Sequence, residues 1–191
     1  MCIRDRAKSK NEISISSLAE KNAKQSLKQK LVQSDTNNNL IEELASKFNI
    51  NNNIELIEVY DNSHIQGTDS VGSLICFGNE GFVKKRYRKF NIKDEKVKND
   101  DYGMMKEVLF RRFSKAIKEK SGSLSLPDLI MIDGGKGQYS VSREVLNELG
   151  LHDLPILAVA KGKKRNAGEE KIYYESKEYN FCLLYTSPSP R

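Results

Sequence analysis

Four consecutive apolar residues, Leu129-Ile130-Met131-Ile132, run directly into Asp133 and then into Gly134-Gly135-Lys136-Gly137. An apolar run this short, opened by Pro127, is typical of a buried central strand. The glycines form a tight turn into a helix, and Val141, Val145, Leu146 and Leu149 lie along that helix up to the capping Gly150. Pro155 then opens a second buried strand at residues 156–160. A chain built this way is predicted to place strands in the middle and helices over them.

The preceding chain extends this pattern. Residues 1–16 show no clear period and read as loop. Ser17 followed by Glu20 has the spacing of a capping box, and Ala19, Ala23, Leu27 and Leu31 then recur every four residues. The polar cluster at residues 35–39 is predicted to stop this helix, with a second short helix at 40–48 and a break at 49–53. Together these form a helical lead-in whose apolar stripe is too small to fold alone. From Ile54 the period moves toward two. Strands are predicted at 54–60, 71–77 and 81–92, the last two joined by a Gly78-Asn79-Glu80 turn. Asp100 reads as the N-cap of a helix carrying Met105, Val108, Leu109, Phe113 and Ile117, ended by Ser121-Gly122-Ser123. The resulting order, β-β-β-α-β-α-β, predicts an α/β domain with a mixed sheet flanked by helices, the strand order of the ribonuclease H fold.

Composition narrows the functional classes. The chain has 191 residues, enough for one ordinary domain and a short extra segment. No apolar run approaches the ~20 residues a membrane span needs, and no N-terminal segment has the apolar middle of a signal peptide. This predicts no membrane role and a cytoplasmic location. The 3 cysteines form no CxxC pair, and only 2 histidines are present, so disulfide scaffolds, zinc knuckles and His-rich metal sites are not indicated. A net charge of +6 and a pI near 9.1 permit a polyanionic partner without requiring one.

Two aspartates follow apolar strand residues. Asp61 follows Val59-Tyr60, and Asp133 follows Ile130-Met131-Ile132. Acids at the carboxyl ends of neighbouring strands would converge at the rim where sheets with parallel central strands build their sites. Two such carboxylates repel unless a cation lies between them, and Mg²⁺ or Mn²⁺ suits their hard oxygens. Either aspartate alone could equally cap a turn. The Asp133–Gln138 segment offers backbone amides at a helix start, a natural seat for phosphate, but lacks the spacing of a P-loop. Between Lys84 and Lys89 the chain is basic at all positions except Tyr87, which suits a nucleic-acid backbone or a protected edge strand. Lys84, Arg86, Arg88, Arg111, Arg112, Lys136 and Lys161 are the candidate backbone contacts. His64 and His152 read as structural, and Cys76 as core.

In order along the chain, Ile57-Glu58-Val59-Tyr60-Asp61-Asn62-Ser63-His64, Tyr87-Arg88-Lys89-Phe90-Asn91-Ile92, Asp100-Asp101-Tyr102, Arg111-Arg112-Phe113, the segment from Pro127 to Gln138 and Ala160-Lys161-Gly162 closely resemble the C-terminal half of the UvrC family. The likeness covers about residues 17–180, and Leu18-Ala19-Glu20-Lys21-Asn22-Ala23 is similar to the stretch just before that domain. It implies a ribonuclease H-like endonuclease domain of bacterial nucleotide excision repair. That domain incises DNA 5′ to a lesion after handover from UvrA and UvrB, so DNA and UvrB are the implied partners, with UvrA indirect. The implied metal site uses aspartates matching Asp61 and Asp133 and a histidine in a later helix, which neither His64 nor His152 matches.

The family's GIY-YIG nuclease and helix-hairpin-helix pair are not among these residues, so the chain reads as a piece of a longer subunit. The expected organisation is a leader at 1–16, a helical lead-in at 17–53, a C-terminally truncated endonuclease domain at 54–181 and a tail at 182–191. The extreme ends, residues 1–6 and 184–191, fit neither the family pattern nor the intervening composition and read as non-native. A catalytically silent module that docks DNA or UvrB is the competing expectation, because the third ligand is not present.

Overall fold

In the computed structural model, residues 9–50, 53–65, 69–97, 100–118, 125–162 and 170–180 are described. Helix α1 (Lys10–Lys47) leads into strands β1 (Leu56–Ile65), β2 (Asp69–Gly78), β3 (Gly81–Phe82) and β4 (Arg88–Asn91). Helix α2 (Asp101–Lys118), strand β5 (Leu129–Asp133), helix α3 (Lys136–Glu148) and strand β6 (Ile156–Ala160) follow, and β7 (Lys171–Tyr174) and β8 (Lys177–Asn180) close the series. The 8 strands form one mixed sheet in the order β3-β2-β1-β5-β6-β7-β8, with β4 also paired to β2. Only the central β1–β5 and β5–β6 pairs are parallel. This is the helix-flanked mixed sheet expected from the order of elements, widened by β7 and β8.

Alternation divides the buried residues between two faces. On one face α2 and α3 cover Tyr60, Ile130, Ile132 and Ala158 with Met104, Met105, Val108, Leu109, Phe113, Val145 and Leu146. On the other, Ile41 of α1 and the following Phe48, Ile50 and Ile54 cover Ile57, Leu129, Leu157, Ile172 and Tyr174. Phe48 meets Tyr174 and Tyr179 edge-on at centroid distances of 5.5 and 5.1 Å. Polar contacts tie β1 to its neighbours. The Asp128 carboxylate accepts from the backbone amides of Glu55 and Leu56, both at 2.9 Å. Deeper in, Arg112 of α2 pairs with Glu58 at 2.6 Å, and the Tyr60 hydroxyl donates to the other Glu58 oxygen at 2.6 Å.

Several elements differ from the sequence expectation. The residues read as loop up to position 16 are helical from Lys10, and the capping box is Ser9 with Glu12 rather than Ser17 with Glu20. Glu20 instead pairs with Lys24 one turn on. The polar cluster at 35–39 does not interrupt α1. There the helix docks on the β2–β3 turn, with Ser34 donating to the Asn79 carbonyl, and Ile41 buries immediately after, so packing overrides weak local propensity. The strand expected at 81–92 is broken by a 3₁₀ turn at Lys84–Arg86. The basic run therefore does not alternate along one strand. The predicted helix end at 121–123 lies outside the described residues. Asp100 does cap α2, accepting from the Tyr102 amide at 3.0 Å.

The β7–β8 hairpin was not foreseen because its turn residues, Glu175 and Ser176, carry no turn signal, although both sit at positive φ (46° and 63°). Such a turn favours Asn-Gly. Replacing Glu175→Asn together with Ser176→Gly is expected to raise unfolding stability by about 1 kcal/mol, measured by chemical denaturation.

Candidate metal and nucleic-acid site

β1 and β5 run parallel in a register that ends at Tyr60 opposite Ile132. Asp61 and Asp133 are the next residues on each strand, so they occupy adjacent positions about 4.8 Å apart in the pairing direction. Ile57 and Leu129 belong to the core on the α1 face, and Asp61 and Asp133 follow them at even spacing on the same two strands. Both acids therefore project to the α1 side of the sheet. Asp61 is not at the end of its strand, since β1 continues to Ile65 against β2. What ends there is its parallel partner, and this leaves the pair at a rim. β6 joins the same row through Val159, which pairs with Asp133.

The electrostatics of the pair follow from this geometry. Partial burial and then the neighbouring Asp133 raise the Asp61 carboxyl above the ordinary aspartate range, opposed by Lys161 and the Asn62 amide. The Lys161 ammonium sits 2.8 Å from Asp133 Oδ2. A cation is thus already drawn to this point. The donor set fits a hard divalent ion, because Mg²⁺ commonly takes one or two carboxylates and completes its shell with water. Among the described residues no three His, Cys, Asp or Glu side chains converge on one point.

Two of the glycines after Asp133 sit where a side chain would crowd a neighbour. A methyl at Gly134 would collide with the Gln138 carboxamide, and one at Gly137 would lie 2.6 Å from the Tyr102 ring. Tyr102, half exposed at the start of α2, therefore packs directly on the first turn of α3, whose N-cap Gly135 has no side-chain cap. Lys136 opens that helix.

The remaining basic candidates divide by environment. Arg112 is only 4% exposed and is held by Glu58 and the Ser125 carbonyl, so its guanidinium is not presented to a surface ligand; here the structure corrects the sequence expectation. Arg111 binds the Asn91 carbonyl and Glu107 and lies over the Phe90 ring, on the α2 side of the sheet. Arg86 donates to Ser125, and Arg88 to the carbonyls of Lys85 and Tyr87. Lys84 is exposed in the 3₁₀ turn. The structure thus gathers Asp61, Asp133 and Lys161 at one rim, places Lys136 at the start of α3 three residues beyond Asp133, and leaves Arg111 and Arg112 on the helix-covered side. The His64 side chain lies outside the described residues. His152, in the loop after α3, faces Asn147 at 3.3 Å, near where β6 begins and away from the acids. Lys89 was not among the individual candidates, and only the strand register shows that it shares the carboxylate face.

A mixed sheet whose central parallel strands carry facing carboxylates at one rim defines a domain of the ribonuclease H-like class. Comparison with known families takes this further: the chain belongs to the UvrC RNase H endonuclease domain family, whose model matches residues 45–189. It is 47% identical over 173 residues to UvrABC system protein C of Cereibacter sphaeroides, covering 89% of this chain and 28% of that protein. It is 49% identical over 164 residues to the protein of the same name from Hyphomonas neptunium, covering 83% and 27%. The chain therefore spans about a quarter of the length of these relatives. Among solved structures, Ciona intestinalis Endonuclease V in complex with a 24mer DNA is similar at a TM-score of 0.42 and 13% identity, over 77% of this chain and 59% of that one. Human ENDOV is similar at 0.39 and 15%, over 56% and 46%.

Two outcomes test this account of the site. Because its folded-state pKa is raised, Asp61 binds its proton more tightly when folded. Its contribution therefore falls as pH rises from the unfolded value through the folded one. Asp61→Asn is expected to raise the melting temperature slightly at neutral pH in chelator, by well under about 1 kcal/mol for so exposed a group. The gain should shrink or reverse in Mn²⁺. Arg112→Met leaves the Glu58 carboxylate buried without its partner and is expected to cost about 3–5 kcal/mol in denaturation, partly recovered by adding Glu58→Leu.

Proposed function

We propose that this chain is the metal-dependent DNA endonuclease unit of a nucleotide excision repair protein, making the incision 5′ to a lesion. The observation that carries this reading is the Asp61–Asp133 pair at the rim of the β1–β5 parallel strands, in a chain of the UvrC RNase H endonuclease domain family. Asp61 and Asp133 would hold Mg²⁺ or Mn²⁺. The bound ion supplies Lewis acidity for activating water and neutralising charge on the phosphodiester. The carboxylates orient the reacting groups, and Lys161, which contacts Asp133, stands where it would meet a phosphate oxygen. Hydrolysis breaks the bond between phosphorus and the 3′ oxygen, so water adds to phosphorus and the DNA is left with a 3′-hydroxyl and a 5′-phosphate.

Lys136 and Lys161 flank the acids and serve as backbone contacts. Exposed Lys84 and Arg88 are weaker candidates on the β4 side, and half-buried Arg86 and Arg111 reach DNA only where their present carbonyl contacts open. DNA and UvrB, with UvrA indirect, are the proposed partners, in the cytoplasm of a bacterium; the name of the relatives, UvrABC system protein C, supports membership of such a system. No helix among the described residues is long and apolar enough to cross a membrane.

A second reading, a catalytically silent module docking DNA or UvrB, is favoured by one observation: Lys161 already neutralises Asp133. Nicking of damaged plasmid with Mn²⁺ separates the two. Cutting that is lost in Asp133→Asn supports the nuclease, and robust cutting by the chain overturns the silent module. Mn²⁺ affinity by calorimetry is expected to fall at least tenfold in Asp133→Asn, and unchanged affinity would remove the metal assignment.

A further inference from the structure

Asp61 belongs to a row that crosses the sheet. β1 pairs it with Ser73 of β2, and β2 pairs Ser73 with Lys89 of β4. Residues directly opposite across antiparallel strands project to one face. Lys89 therefore lies on the carboxylate face, two strands from Asp61, about 10 Å away at ordinary strand spacing. On the other side the row continues through Asp133 to Val159, and Lys161 reaches back to Asp133. Between Lys89 and Asp61 stands only the small Ser73, whose hydroxyl donates to the Asp61 carbonyl.

Lys89 is exposed, and no ion pair or hydrogen bond engages its ammonium among the described residues. Its neighbours are engaged: Arg86 by Ser125, Arg88 by local carbonyls, Arg111 by Asn91 and Glu107. Toward the start of the strands the face is closed by Phe48, Ile50 and Ile54 over Ile57 and Leu129. Among the described residues, what remains open is a band across the strands with a lysine at either side and the carboxylates in the middle.

We propose that Lys89 anchors a backbone phosphate of the DNA strand being cut, two or three nucleotides from the scissile bond, and that this strand follows the band from Lys89 to Lys161. The inference rests on the nuclease reading above. The spacing agrees, since a separation of about 10 Å, with the reach of a lysine side chain added, spans a few phosphates of one strand. A lysine there acts as a point charge. It sets where the strand lies without reading sequence.

The test uses the whole chain and fluorescent duplex DNA in an anisotropy titration across a salt series. Lys89→Gln is expected to weaken binding severalfold and equally for unrelated sequences, and to lower the salt slope by about 0.9. Lys89→Arg should restore both, and Lys28→Gln on α1 should change neither. Scanning a neutral methylphosphonate along the strand should find a position that weakens the unsubstituted chain but not Lys89→Gln. An unchanged slope in Lys89→Gln, with Lys161→Gln lowering it, overturns the Lys89 anchor and leaves the nuclease reading intact. If neither lysine affects DNA binding and Asp61→Asn leaves Mn²⁺ affinity unchanged, the nuclease reading fails as well.

Discussion

The parallel pairing of β1 with β5 is the constraint on which the site depends. Neither carboxylate does anything distinctive alone, and Asp is an ordinary residue at the end of a strand. Pairing Tyr60 with Ile132 makes Asp61 and Asp133 neighbours on one face although they are distant along the chain. A slip of one residue on β1 would turn Asp61 toward α2 and α3 and bring Glu58 and Tyr60 to the other side. The register is therefore also the condition for the Asp133 repulsion that adds to partial burial in raising the Asp61 carboxyl, and for any cation held between the acids.

Interactions at several points along β1 hold that register. At its start, Asp128 accepts two backbone amides from β1. In its middle, Glu58 is held by Arg112 and Tyr60, all three almost wholly buried. Just past Asp61, the Asn62 amide donates to the Asp101 carbonyl at the head of α2. A buried ion pair contributes little net stability against an apolar alternative, but breaking one half is costly, so it penalises any arrangement that separates β1 from α2. The side chain next to the acid is thus tied to the same helix whose first turn places Tyr102 over Gly137.

Much of this was legible in the residues. The run Leu129–Ile132 into Asp133 and glycines has the pattern of a buried strand turning into a helix, and Asp100 stands where an N-cap should. Other parts were not. The basic run from Lys84 to Lys89 looks uniform in sequence, yet a 3₁₀ turn divides it, engaging Arg86 and Arg88 locally and leaving Lys89 on the acid face. Arg111 and Arg112 are adjacent and chemically alike, but helical geometry turns one partly outward and buries the other against Glu58. The polar stretch within α1 reads as a helix breaker, and the packing of its neighbours on the sheet overrides that preference.

By itself the sequence determined that β5 and β6 are buried strands, where α2 and α3 begin, and that acids stand beside apolar strands, because periodicity, capping and turn chemistry are short-range properties. Only the tertiary structure decided that Asp61 and Asp133 meet, that Lys89 lies on their face and that Arg112 does not. Those outcomes depend on register and on which face a side chain takes. Both are set by contacts between residues far apart along the chain, where local pattern carries no information.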